Sequence, residues 1–214
     1  MQEMVAGASA DEIKRHKIEI LAGLTRLRQI CNTPALFLED YTGDSGKMDS
    51  LFELLDTIRK KESRPLIFSQ FTSMLDLIEQ ELEKKGLSHF KITGQTPSDK
   101  RQEMVNLFNQ GEKDCFLISL KAGGTGLNLT GADTVILCDL WWNPAVEMQA
   151  IGRSHHLGQT KQVDVYRLIT LGTIEEKIQE LRESKKELFN TVLEGQESRS
   201  NLSVDDIKEI LGVE

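Results

Sequence analysis

From Pro65 onward, short apolar runs alternate with amphipathic stretches, and that alternation leaves few folds open. Pro65-Leu66-Ile67-Phe68, Phe90-Lys91-Ile92, Cys115 to Ser119, Thr134 to Cys138 and Val163 to Ile169 read as strands. Thr72 to Lys85, with Leu75, Ile78 and Leu82 inward, reads as a helix, as do Ser98 to Asn109, Ala145 to Gly152 and Thr173 to about Leu193. Strands that are apolar throughout are covered on both faces, and helices between them make βαβ units with a parallel sheet. Right-handed crossovers wind that sheet open. The expected fold is therefore α/β, an open parallel sheet with helices on both faces. Ligands of such sheets bind beyond the carboxyl ends of the strands. Four unusual loops follow strand ends: Ser69 to Thr72, Thr93 to Thr96, Lys121 to Thr130 and Leu140 to Pro144.

The flanks have a different rhythm. Ser9 and Glu12 form a capping-box signal for a helix running to about Ile30, with Ile13, Ile20, Leu24, Leu27 and Ile30 on its apolar face. A second helix, near Met48 to Lys61, turns Leu51, Leu54, Leu55 and Ile58 inward. This gives a helical lead-in over 1–62 that packs on a central unit, 63–194. Residues 195–214 form a polar linker and a short capped helix from Ser203 to Leu211.

The net charge of −8 argues against a uniformly basic nucleic-acid binder, but its distribution matters more. Residues 172–214 carry 6 basic and 11 acidic side chains, whereas 64–171 carry 11 and 12, so a local phosphate-binding face remains open. Apolar runs are too short to span a bilayer, and no basic region followed by an apolar core marks the N-terminus as a secretory signal. Cys31, Cys115 and Cys138 lack metal-ligand spacing, and the two in apolar strand-like runs, Cys115 and Cys138, read as buried free thiols.

The loops carry the chemistry. Ala122-Gly123-Gly124-Thr125-Gly126-Leu127-Asn128 can bring backbone N–H groups close to an anion, or can simply be a tight turn. It is neither a dinucleotide fingerprint nor a phosphate loop, and no G-x-x-x-x-G-K-[ST] occurs in the chain. Without that loop, and without an acidic Mg²⁺-binding dyad at a strand end, the chain does not hydrolyse a nucleotide by phosphate-loop machinery on its own. The adjacent Trp141 and Trp142 either divide between core and surface or both pack under the next helix. Gln149 to Gln159 combine a Gln, the Gly152-Arg153 pair and His156, a polar cluster able to reach a nucleotide. His155 and His156 have no third ligand at metal-binding spacing, so no metal site is read.

These loops, together with Leu27-Arg28-Gln29-Ile30-Cys31-Asn32, Ser45-Gly46-Lys47-Met48 and Ile67-Phe68-Ser69-Gln70-Phe71, resemble the C-terminal RecA-like lobe of Swi/Snf-family DNA translocases in helicase superfamily two. The similarity runs from about Leu27 to Leu193. It implies a lobe that clamps ATP and Mg²⁺ against an N-terminal RecA-like lobe of the same protein, which holds most of both, and that grips double-stranded DNA by its backbone. A DNA-bound protein as target and no membrane association also follow from it. So does a location at the nucleoid of a bacterial cytoplasm or in a eukaryotic nucleus. By motif, Arg153 and His156 occupy the catalytic positions, and Gly126, Asn128, Gln149 and Arg153 line the nucleotide cleft. Ser69, Gln70, Phe71, Thr93, Gly94, Lys121, Ala122, Gly123, Gly124, Trp142 and Asn143 are the DNA-facing set.

One departure bears on activity. His156 stands where the family carries its second arginine. Arginine offers a permanent charge and a fork matched to phosphate; a neutral histidine offers one donor. Loss of an arginine finger costs about three to five orders of magnitude in rate. A compensated motor and a catalytically degenerate lobe kept for binding or scaffolding both remain open at this stage.

Overall fold

The computed structural model describes residues 5, 8–123, 126–141, 147–148, 151–152, 162–184 and 203–212. Five parallel strands lie in the order β2-β3-β1-β4-β5: β1 Pro65–Ser69, β2 His89–Ile92, β3 Cys115–Ser119, β4 Thr134–Leu137 and β5 Asp164–Arg167. Every neighbouring pair is parallel, as in Leu66 with Phe116 and Leu66 with Val135. The lead-in holds α1 (Ala10–Arg15), α2 (Lys17–Asn32) and α3 (Gly46–Lys60). Helices α4 (Thr72–Lys84), α5 (Ser98–Asn109) and the single turn α6 (Leu120–Gly123) connect strands; α7 (Ile174–Ser184) and α8 (Val204–Leu211) follow the sheet.

The apolar runs of β1, β3 and β4 are covered on both faces, whereas the edge strands β2 and β5 are only partly buried. Leu66 and Phe68 of β1 join a core with Val105, Phe108 and Phe116, while Ile67 joins Leu51, Leu55, Leu75 and Ile78 on the opposite face. A third core joins Ile13, Ile20 and Leu24 of the lead-in to Ile178 and Leu181 of α7 and to Ile207, Ile210 and Leu211 of α8. Each fully buried aliphatic side chain of this kind contributes about 1.5–3 kcal/mol. Helix α8 has the expected cap: Asp206 N donates to Ser203 Oγ at 3.1 Å and Ser203 N to Asp206 Oδ2 at 2.8 Å.

Two expectations are corrected. The first helix is interrupted at His16, whose φ of −93° and ψ of 9° lie in the sparsely allowed bridge region. Its buried row then runs Ile20, Leu24, Arg28 and Asn32, leaving Ile30 39% exposed and Leu27 half-buried. The row continues at every fourth residue because the two polar side chains find buried partners at the sheet edge. The glycine-rich segment, too, opens with the helical turn α6, where Ala122 N donates to Ser119 Oγ at 3.3 Å.

Candidate functional site

The carboxyl edge of the sheet collects the loops singled out in the sequence. Because β2, β3 and β1 are neighbours, Thr93-Gly94, Lys121 to Gly123 and Ser69 to Phe71 emerge side by side. The Thr93 loop is closed by Thr93 N donating to Thr96 Oγ1 at 3.0 Å. Arg101 of α5 holds it from behind, donating to the carbonyls of Thr96 at 2.7 Å, Thr93 at 3.3 Å and Gly94 at 3.1 Å. Gly94 and Lys121 are exposed, and Ala122 is buried in the core. Gly126 and Asn128 are exposed, each followed by a leucine, Leu127 and Leu129, buried in the same core. Gly126 has a φ of +64°, a region that costs other residues about 1–2 kcal/mol. Asn109 Nδ2 donates to Asn128 O at 2.9 Å, fixing that backbone.

Ser69 is fully buried and its hydroxyl turns inward, donating to Asp139 Oδ2 at 2.5 Å and accepting from Phe71 N at 3.1 Å. It therefore shapes the loop and presents no hydroxyl outward. Gln70 N donates to Asp139 Oδ1 at 3.0 Å, and its Nε2 is buried without a protein partner among the described residues. The Arg28 guanidinium lies 5.8 Å from the Phe71 ring centre. Gly124, Trp142, Asn143, Gln149, Arg153 and His156 lie outside the described residues. Trp141, beside them in sequence, packs its ring against the core.

Sequence reading missed what lies under these loops. Asp139, 1% exposed, also accepts from Asn32 Nδ2 at 3.2 Å. Asn32 Oδ1 accepts from Lys47 Nζ at 3.0 Å. Lys47 also donates to Cys138 O at 2.9 Å and to both oxygens of Glu175 at 2.7 and 2.6 Å. Glu175 in turn accepts from Thr170 N at 2.9 Å. Arg28 Nη2 donates to Leu140 O, and burial lowers the Arg28 pKa while Asp139 and Glu175 oppose that shift. Two cations and two carboxylates thus form a compact buried set, hydrogen-bonded as such groups must be. The only signal in the sequence was placement: Arg28 and Asn32 interrupt an apolar row, and Asp139 directly follows the apolar run Val135 to Cys138.

Asp139 and Glu175 are both committed to donors of this chain. The Glu79, Glu83 and His89 cluster lies away from these loops, and Lys91 already pairs with Glu79 there. At the opposite, amino-terminal edge a cavity of about 340 Å³ is lined by Leu55, Ile58, Arg64, Leu87 and Lys113. No helix among the described residues is long and apolar enough to cross a membrane.

A parallel sheet wound in this order, with its unusual loops at one edge, defines a RecA-like α/β lobe. The helicase conserved C-terminal domain profile matches residues 46–158, more than half of the 214 residues, and the chain belongs to that family, in its Swi/Snf branch. It is 42% identical over 194 residues to the mouse SWI/SNF-related matrix-associated actin-dependent regulator of chromatin subfamily A member 1, covering 85% of this chain and 18% of that protein. It is 40% identical over 202 residues to the putative ATP-dependent helicase/translocase YwqA of Bacillus subtilis (strain 168), covering 92% and 22%. The chain thus spans about a fifth of these relatives' length. Among solved structures, the Sulfolobus solfataricus SWI2/SNF2 ATPase core in complex with dsDNA superposes with a TM-score of 0.74 at 30% identity, covering 94% of this chain and 43% of that one. The C-terminal part of the Fun30 ATPase domain superposes with a TM-score of 0.67 at 31% identity, covering 94% and 61%.

Proposed function

We propose that this chain is the second motor lobe of an ATP-dependent double-stranded DNA translocase. It grips the DNA backbone and presents Arg153 to ATP held by an N-terminal lobe, with residues 1–62 serving as a lead-in that packs on it. The observation that carries this reading is the adjacency of three loops on neighbouring strands. Three strands spaced about 4.8 Å apart spread their loops over about 10 Å, the axial rise of about three phosphates of one DNA strand. The loops present the exposed Gly94, the half-buried Thr93 and the exposed Lys121, which suits sequence-independent contact with phosphate. The Sulfolobus ATPase core with bound dsDNA supports the same reading by similarity.

In this mechanism Arg153 and His156 face the transferred phosphoryl group, Gln149 orders the cleft, and Gly126 and Asn128 form its wall. Most contacts to ATP and Mg²⁺ come from the N-terminal lobe in this reading, and the buried carboxylates Asp139 and Glu175 are already paired within this chain. Closing and opening of the two lobes with each ATP advances the pair along DNA, displacing or remodelling a DNA-bound protein. The test is twofold. The purified 214 residues are expected to show no ATP turnover and weak, salt-sensitive duplex binding; clear turnover by the chain alone overturns the half-motor reading. In a two-lobe protein, Lys121→Ala should lower the slope of log affinity against log salt by about 0.9, as one lost phosphate contact requires.

A further inference from the structure

The buried polar set couples parts of the chain that are remote in sequence, and Asn32 is its centre. Asn32 Nδ2 donates to Asp139 and Asn32 Oδ1 accepts from Lys47. Only a side chain with a donor at one end and an acceptor at the other satisfies a carboxylate and an ammonium at once. On one side, Lys47 is clamped by Glu175 at the start of α7. On the other, Asp139 holds the Ser69 hydroxyl and the Gln70 amide, and Ser69 Oγ holds the Phe71 amide.

We propose that Asn32, Lys47 and Glu175 are positioning residues for the Ser69-Gln70-Phe71 loop, acting through Asp139. The lead-in helices and α7 thereby set the geometry of a DNA-facing loop that is remote from them in sequence. The DNA part of this inference rests on the proposed function; the loop-holding part does not. Neither the charge of the set nor its burial requires this wiring, since each carboxylate could have been paired with a cation alone. The bridging amide is what joins the two pairs and makes a change at α7 felt at Ser69.

The test uses the complete 214-residue chain and reads the loop directly. Amide hydrogen exchange at Gln70 and Phe71 is compared in the wild type, Asn32→Asp and Asn32→Leu. Asn32→Asp keeps shape and volume but sets a second acceptor against Asp139. Exchange at Gln70 and Phe71 should quicken by about tenfold or more, the effect of losing one charge-assisted hydrogen bond, while Ile67 and Phe68 in β1 stay protected. The double variant Asn32→Asp/Asp139→Asn exchanges donor and acceptor between the two positions, keeps an oxygen for Gln70 N and should recover most of the protection at Gln70, which a general loss of stability would not do. Unchanged exchange in both single variants, or no recovery in the double variant, overturns the proposal. Should Asn32→Leu fail to fold, the isosteric pair still decides. Binding of a labelled duplex is measured on the same samples. If the wild type binds no DNA while exchange behaves as stated, the DNA reading falls and the positioning role stands. If the wild type binds and the variants bind equally well despite faster exchange, the loop is held by this set but does not grip DNA.

Discussion

Lys47→Met removes the buried cation with little change in length and turns the energetics of the polar set into a measurable loss. In the folded chain Lys47 and Glu175 have side chains 3% and 1% exposed. Without Lys47, the Glu175 carboxylate keeps the donation from Thr170 N, and Asn32 Oδ1 and Cys138 O lose a donor. Breaking a buried pair from one side costs about 3–5 kcal/mol, because the remaining charge is uncompensated. That is a fifth or more of the about 5–15 kcal/mol available to a domain. At about 2–4 °C per kcal/mol for a chain of this size, the midpoint of thermal unfolding should fall by about 6–20 °C. Adding Glu175→Leu removes the stranded carboxylate and should recover part of the loss; orphaned groups at Asn32, Cys138 and Thr170, at about 1–3 kcal/mol each, prevent full recovery. Circular dichroism melts of the wild type, the single and the double variant test this. A single variant within about 2 °C of wild type, or a double variant below the single, refutes the argument that the pair is desolvated and uncompensated when broken.

Two glycines should separate conformational strain from steric conflict in urea titrations. Gly126→Ala meets only open space and a φ of +64°, so it should cost about 1 kcal/mol. Gly131→Ala would place its Cβ 2.9 Å from Asn109 Cα and Phe108 O, both backbone, and should cost more. Thiol titration with an aromatic disulfide near pH 8 should find Cys115 and Cys138 silent until the chain unfolds: burial pushes Cys115 up to about 12 and Cys138 higher still, leaving both protonated. Fast labelling of either in the folded chain contradicts their burial. In a two-lobe protein His156→Arg should raise DNA-stimulated ATP hydrolysis; an unchanged or lower rate means that position 156 is not a defect, and an unmeasurable rate in both favours a binding module.

The sequence made the sheet legible because strand identity is a local property here. An apolar run covered on both faces announces itself, so β3 and α5 lie where periodicity put them, at Cys115–Ser119 and Ser98–Asn109. The loops at the carboxyl edge followed from the winding rule alone. The polar set was illegible for the opposite reason: each member looks ordinary in its own segment. Asn32 and Lys47 are letters in motif strings, Asp139 follows a strand, and Glu175 opens a helix. Lys47 lies 128 positions from Glu175, and no local pattern links them. Ile30 was expected inside for the same reason, since helical periodicity weighs apolar side chains and cannot foresee that Arg28 and Asn32 have partners across the fold.

That contrast says what motif strings of this kind encode. Ser69 reads as a residue that touches a ligand, yet its hydroxyl is spent on Asp139 and Phe71 N. Lys47 stands in a motif string as well, yet its ammonium is bound to Asn32, Cys138 O and Glu175, all buried groups of this chain. A buried pair of charges contributes little net stability against apolar replacements of the same volume. Its value therefore lies in geometry, because charged groups with filled hydrogen-bond positions tolerate one arrangement where apolar groups tolerate several. Under the proposed function, three loops offered to a repeating backbone need that single arrangement at the ends of their strands. Packing fixes the strands themselves, and the polar set beneath the loops fixes what packing cannot.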